Sequence, residues 1–206
     1  LGLRFDSSLC ESIVRRLTET AELHDSFVRI DMEDASVTRL TLDLYRKLRL
    51  DTDRIGVAVQ AHLRSTVNEV RDLLEEGDTN LRVCKGIYIE PESLAYQDFK
   101  EVQESFKETV QRLLEGGATR VGIATHDPEL VEAALIALRD LDVGKDRYEF
   151  QMLLGVAEKM RDQLVADGHP LRVYVPFGKE WYAYSRRRLR ENPQIAGHVV
   201  RNLFPF

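Results

Sequence analysis

Two cysteines, one tryptophan and six prolines are all that the 206 residues contain of those types. No apolar run approaches the roughly 18–20 residues that a membrane-spanning helix requires. Cys10 and Cys84 stand far apart and in no CxxC or Cys/His spacing, so neither a disulfide framework nor a zinc knuckle is indicated, and a reducing compartment fits. No basic-then-apolar leader opens the chain. The twelve glycines include no GxGxxG and no Walker sequence, which argues against an open nucleotide-binding sheet. A net charge of −6 argues against bulk binding to nucleic acid. With no low-complexity tract and no linker, residues 1–206 read as one domain, and 43% apolar with 31% charged residues is the composition of a soluble globular protein.

What is present is a regular alternation. The strand candidates are "FVRIDM" (27–32), "IGVAVQA" (55–61), "LRVCKGIY" (81–88), "RVGIATH" (120–126), "YEFQML" (148–153) and "RVYVPF" (172–177). Most are near-continuous apolar runs, as parallel strands covered on both faces should be. Helical patterns lie between them. "TVNEVRDLLEEG" (66–77) ends in a glycine stop, and "DPELVEAALIALRD" (127–140) opens with Asp127 as cap and Pro128 as first helical residue. Six strands with six following helices predict an α/β fold of the (βα)8 TIM-like barrel type. Residues 6–25 form a helix with no strand ahead of it, so about six of eight βα units are expected here, with the N-terminal part of the barrel lying outside these residues.

Function in such folds collects at the C-terminal ends of strands. Those ends carry Asp31-Met32-Glu33-Asp34, then Gln60-Ala61-His62, then Arg82, Lys85 and Tyr88, then Thr125-His126, then Gln151 and Leu153, and last Tyr174. Some have plain structural readings. Asp31 and Asp34 could cap a helix from about Ser36, Thr125 and Asp127 could be turn and cap residues, and Lys85 could snorkel to solvent. Cys84 reads as a small core residue, since no base is paired with it. Arg82, flanked by Leu81 and Val83 in a buried strand, needs an anionic or polar partner.

The C-terminal end is locally basic. Residues 172–206 hold seven Lys/Arg against two Asp/Glu. At helical spacing Tyr184, Arg187, Arg188 and Glu191 share one face, while Arg186 and Arg190 point the other way. Two adjacent guanidiniums beside an aromatic ring suit one planar anion, most simply a carboxylate.

Taken together, these motifs resemble the flavin-dependent proline dehydrogenases of the monofunctional bacterial type. "YVPFGKEWYAYSRRRLREN" (174–192) is similar to that family's C-terminal signature, and "LRVCKGIYIEP" (81–91) to its arginine-strand motif, usually R-L-V-K-G-A-Y. "DMEDA" (31–35), "VQAHLRST" (59–66) and "EFQMLLG" (149–155) follow the same order, so the resemblance covers essentially the whole chain. It implies a distorted (βα)8 barrel with FAD at the C-terminal ends of the strands. The family's substrate-contacting lysine, on the first barrel strand, would precede residue 1.

Residue by residue, the resemblance implies that Arg82 lies beside the reactive edge of the flavin and that Asp31 joins the network under the substrate. Tyr174, Tyr184, Arg187 and Arg188 would bind substrate, both arginines on the proline carboxylate with Glu191 supporting them. Met32, Gln60, Lys85, Gly86, Ile87, Thr125 and His126 would lie at or near FAD, and Leu153 would line the ring. Val83-Cys84 stands for Leu-Val, Ile87 for Ala, and His62 where Tyr is frequent. The activity implied is oxidation of L-proline to Δ1-pyrroline-5-carboxylate, with electrons passed to a membrane quinone. A cytoplasmic protein, peripheral at the inner membrane, is expected, with a pyrroline-5-carboxylate dehydrogenase as the partner receiving the product. From residues alone two other classes stay open: a metal-dependent barrel hydrolase or lyase using Asp31, Glu33, His62 and His126, which no HxH or HExxH spacing supports, and a non-catalytic barrel scaffold.

Overall fold

Aspartate side chains set where most of the helices begin. In the computed structural model, which describes residues 1–179, the carboxylates of Asp6, Asp34, Asp98 and Asp127 each accept a backbone N–H from the first turn that follows. The chain runs α1 (Ser7–Leu23), β1 (Val28–Ile30), α2 (Ala35–Leu48), β2 (Ile55–Gln60), α3 (Thr66–Glu75), β3 (Asn80–Cys84), α4 (Phe99–Glu115), β4 (Arg120–Ala124), α5 (Pro128–Asp140), β5 (Tyr148–Leu153), α6 (Glu158–Ala166) and β6 (Leu171–Tyr174). Pro128 occupies the start of α5 as its sequence predicts. Gly77, at φ +114°, follows α3 as its glycine stop. The helix expected after β6 lies outside the described residues. Among those described, no helix is long and apolar enough to cross a membrane.

All six strands are parallel and stand in the order β1-β2-β3-β4-β5-β6. Each connection therefore moves one place in the same direction. Right-handed crossovers then put every connecting helix on one face of the sheet. A doubly wound sheet needs a reversal of strand order, and the six described strands show none. The result is an α/β fold whose sheet is a curled parallel half-barrel of six strands.

The hydrophobic core lies between the outer face of this sheet and the helices. Val57, Val59, Leu81, Val83, Val121, Ile123 and Phe150 from the strands meet Tyr45, Leu48, Leu73, Phe106, Val110 and Leu113 from the helices. The strand β3 shows the alternation plainly, with Leu81 and Val83 buried and Asn80, Arg82 and Cys84 only partly so. Even-numbered residues of β3 face the concave side.

That concave side is charged, and its spacing is set by small residues. Arg82 pairs across the sheet with Ala58 on one side and Gly122 on the other, and Gly122 pairs with Glu149. In the row below, Arg29 lies beside Gly56. A Cβ on Gly56 would come within 2.4 Å of the Arg29 guanidinium, and one on Gly122 within 2.7 Å of the Gln151 amide. Arg29 donates to the Asn80 carbonyl at 2.8 Å and to the Asn80 side-chain oxygen at 2.7 Å. Burial, and then the charge of Arg82, draw its pKa down to about 10.

Glu149 is the carboxylate of this face and is almost wholly buried. It accepts from Arg172 at 2.7 and 3.0 Å, from Arg120 at 2.9 Å and from the Gln151 amide at 2.7 Å. Burial pushes its pKa up, but the hydrogen bonds and charge of Arg172, followed by Gln151 and Arg120, win and hold it at about 2. A carboxylate with a folded pKa below its unfolded value contributes stability above the unfolded pKa, and loses it as pH falls through the folded one. Glu149→Ala is expected to cost about 2–3 kcal/mol at neutral pH, less than the roughly 3–5 kcal/mol of a fully buried pair, because both arginines keep surface in water. Urea unfolding checks it. The gap between wild type and variant should close as pH falls from 4.5 towards about 2.

Candidate functional site

The C-terminal ends of β1, β2 and β3 are laced together by four hydrogen bonds. Asp31, one residue beyond Ile30 of β1, accepts a hydrogen bond from the Arg82 guanidinium of β3. The pair reaches across β2, and it can do so because the residue between them is Ala58. Arg82 thus has the anionic partner its strand position demands. Two residues on, the buried Gln60 amide donates to the Glu33 carbonyl at 2.7 Å. The Tyr88 hydroxyl donates to the Glu33 carboxylate. Finally Glu90 accepts the Ala35 N–H, at the start of α2, at 2.7 Å. The segment 85–90 therefore crosses over the end of β2 and is fastened to the far side.

The predicted strand over 81–88 stops at Cys84 for this reason. Gly86 takes φ +101°, a conformation that ends the strand and that a side chain would strain. Its α-carbon sits against the buried imidazole of His62. Ile87 is exposed beyond it, and Met32 is buried beside the end of β1.

Lys85 has the opposite parity to Arg82 and Cys84, so it leaves the concave face for the helix side. Its ammonium donates to Asp127 at 2.6 Å and lies 4.3 Å from the centre of the Phe99 ring. Asp127 also accepts from Gln103 at 2.9 Å while capping α5. Burial works against that carboxylate, but Lys85 and then Gln103 hold its pKa below the ordinary range. Thr125 accepts the Asp127 N–H at 3.1 Å, the turn role read from the sequence. His126 accepts the Leu153 N–H through Nε2 at 2.8 Å, which ties the end of β4 to the end of β5. Tyr174 closes β6, and its carbonyl accepts the Leu154 N–H at 3.0 Å. Cys84 donates to the Val59 carbonyl, and burial raises its thiol pKa, which suits a packed thiol and not a thiolate.

Asp31, Gln60, Arg82, Thr125, His126, Leu153 and Tyr174 thus stand at or next to the ends of adjacent strands, whereas Lys85 turns outward. Tyr184, Arg187, Arg188 and Glu191 lie outside the described residues. Sequence reasoning noted Glu33 and Tyr88 at strand ends without pairing them, and missed Glu90 and Glu149. The signal for the first pair was the second polar residue past each strand. Among the described residues no three His, Cys, Asp or Glu side chains converge as a metal would need, so Asp31, Glu33, His62 and His126 make no ligand set.

Comparisons with known proteins agree on one family. The family model described as proline dehydrogenase matches residues 5–201. The chain is 35% identical over 194 residues to proline dehydrogenase 2 of Bacillus subtilis (strain 168), covering 94% of this chain and 63% of that protein. It is 34% identical over 191 residues to proline dehydrogenase of Deinococcus radiodurans, covering 92% and 61%. The chain therefore spans less than two thirds of the length of these relatives. Among solved structures it is similar to proline utilization A (PutA) from Bdellovibrio bacteriovorus inactivated by N-propargylglycine, with a TM-score of 0.82 and 28% identity over 88% of this chain and 21% of that one.

Ala58→Leu would drive a branched side chain between Arg82 and Asp31. Overpacking at that point is expected to cost about 1–3 kcal/mol, measured as a lowered midpoint of thermal or urea unfolding, whereas Ala58→Ser should stay near wild type.

Proposed function

Because the chain belongs to the proline dehydrogenase family, we propose that it carries the FAD and substrate positions of an enzyme oxidising L-proline to Δ1-pyrroline-5-carboxylate, the first step of proline catabolism. In this reading the complete protein closes a (βα)8 barrel around the six strands described. The observation that carries it is the Arg82–Asp31 pair at the mouth, within a match that runs from residue 5 to residue 201.

Bound FAD would supply the acceptor for the hydride leaving the proline ring carbon next to nitrogen. The protein's part is to bind, orient and keep charge in place. Arg82, steadied by Asp31, would donate to the cofactor. Gln60, Thr125 and His126 would hold its surroundings, with Met32, Gly86 and Ile87 shaping the walls, while Lys85 braces the helix side through Asp127. Arg187 and Arg188 would grip the substrate carboxylate, supported by Glu191, each charge-assisted bond contributing on the order of 1.5–3 kcal/mol. Tyr174, Tyr184 and Leu153 would enclose the small ring, and Tyr174 would disfavour the bulkier hydroxylated analogue. The substrate amine must be neutral when the hydride leaves. Electrons would go to a membrane quinone, met by a cytoplasmic protein peripheral at the inner membrane, and a pyrroline-5-carboxylate dehydrogenase would take the product.

The full-length protein should purify yellow and bleach on anaerobic addition of proline. A colourless preparation that does not take up FAD, or a flavin spectrum indifferent to proline, would overturn the reading. Arg188→Met should raise the KM for proline roughly 10- to 100-fold while the flavin stays bound, as steady-state rates and the absorbance spectrum will show.

A further inference from the structure

The imidazole of His62 is more than nine-tenths buried; neither ring nitrogen has a well-formed hydrogen-bond partner among the described residues, and the backbone of Tyr88 and of Lys85, both on the loop 85–90, lies beside the ring. Burying a polar group without a partner costs free energy, so such a ring needs a reason to be there. Its main chain is fixed at both ends. The His62 N–H donates to the Lys85 carbonyl at 2.8 Å, and the His62 carbonyl accepts the Tyr96 N–H at 2.8 Å. The ring has nowhere to withdraw. A Cβ on Gly86 would lie 1.9 Å from Nδ1, so the loop must bend around the imidazole at a glycine.

We propose that the neutral imidazole of His62 is a wedge that sets the path of residues 85–90 over the end of β2, a positioning residue for the site that touches no substrate. Past Gly86 the strap is fastened by Tyr88 to Glu33, by the Glu90 carboxylate to the Ala35 N–H, and by the Glu90 carbonyl, which accepts the Gln97 amide at 3.2 Å. Ile89, between them, is wholly exposed and anchors nothing. The wedge and these fastenings therefore share the work of holding the strap down.

The neutral form matters because of the charges around it. Glu90 faces the ring from the strap, and Lys85 is already neutralised by Asp127. On the side of His62 itself, Arg64 stacks over Tyr96 at 4.5 Å and donates to the Glu92 carbonyl. From β1 and β3, Asp31 is engaged by Arg82 and Glu33 by Tyr88. A protonated ring would draw Glu90 off the Ala35 N–H. Burial holds the His62 pKa below its ordinary 6.5. As pH falls through that value, a ring released into water takes the proton first, so acid favours the unstrapped form.

The meaning of this for catalysis rests on the proposed flavin reading, but the strap itself does not. Hydrogen exchange of residues 86–90 in the full-length holoprotein, expressed as protection factors at about pH 7.5 and about pH 5.5, tests it. Wild type should lose about tenfold in protection at the lower pH. His62→Phe keeps a wedge that cannot titrate and should hold its protection at both, while His62→Ala should be poorly protected at both. Equal acid loss in His62→Phe and wild type, or no loss in wild type, overturns the proposal. Should His62→Ala fail to fold, the comparison with His62→Phe decides alone. Flavin absorbance recorded on the same samples separates the two ideas: His62-dependent protection in a protein that binds no flavin supports the wedge and removes the flavin reading.

Discussion

In the row that carries Arg82, every charged group on the concave face stands beside a small residue. Asp31, Ala58, Arg82, Gly122 and Glu149 come from five successive strands or their ends, and large and small alternate without a break. The guanidinium of Arg82 spans Ala58 to reach its counter-charge, and Gly122 makes room for the Gln151 amide that serves Glu149. Desolvating an arginine in a strand is costly, and a carboxylate two strands away, reached across Ala58, is what offsets it. The row is therefore both the packing solution for this face and the floor of the site.

Much of this was legible in the residues. Apolar runs predicted all six strands, and Asp127-Pro128 and Asp34 marked helix starts where the structure has them. The need of Arg82 for an anion was readable from Leu81 and Val83 beside it. Which anion was not, because row neighbours are some 20 to 40 residues apart in sequence and only strand register brings them together. Glu149 stayed hidden for the same reason. Its two arginines belong to β4 and β6, and nothing in "YEFQML" announces them.

The direction of Lys85 illustrates a second limit. It stands three residues after Arg82 in one motif, yet an odd offset along a strand sends it to the opposite face, where Asp127 and Phe99 receive it. A motif read as one functional string is in fact shared between the mouth and the helix layer. Gly86 then turns the chain back across β2, so the same few residues end a strand, brace a helix start and roof the site.

The hydrogen bond between Leu153 and His126 fixes something about the latter that its residue type leaves open. An imidazole nitrogen that accepts a backbone N–H bears no proton, so the neutral ring is the Nδ1–H tautomer. Whatever lodges against that other nitrogen must offer it a lone pair. His126 can therefore anchor an oxygen or an unprotonated nitrogen, but while β4 and β5 stay joined it has no basic site left with which to abstract a proton.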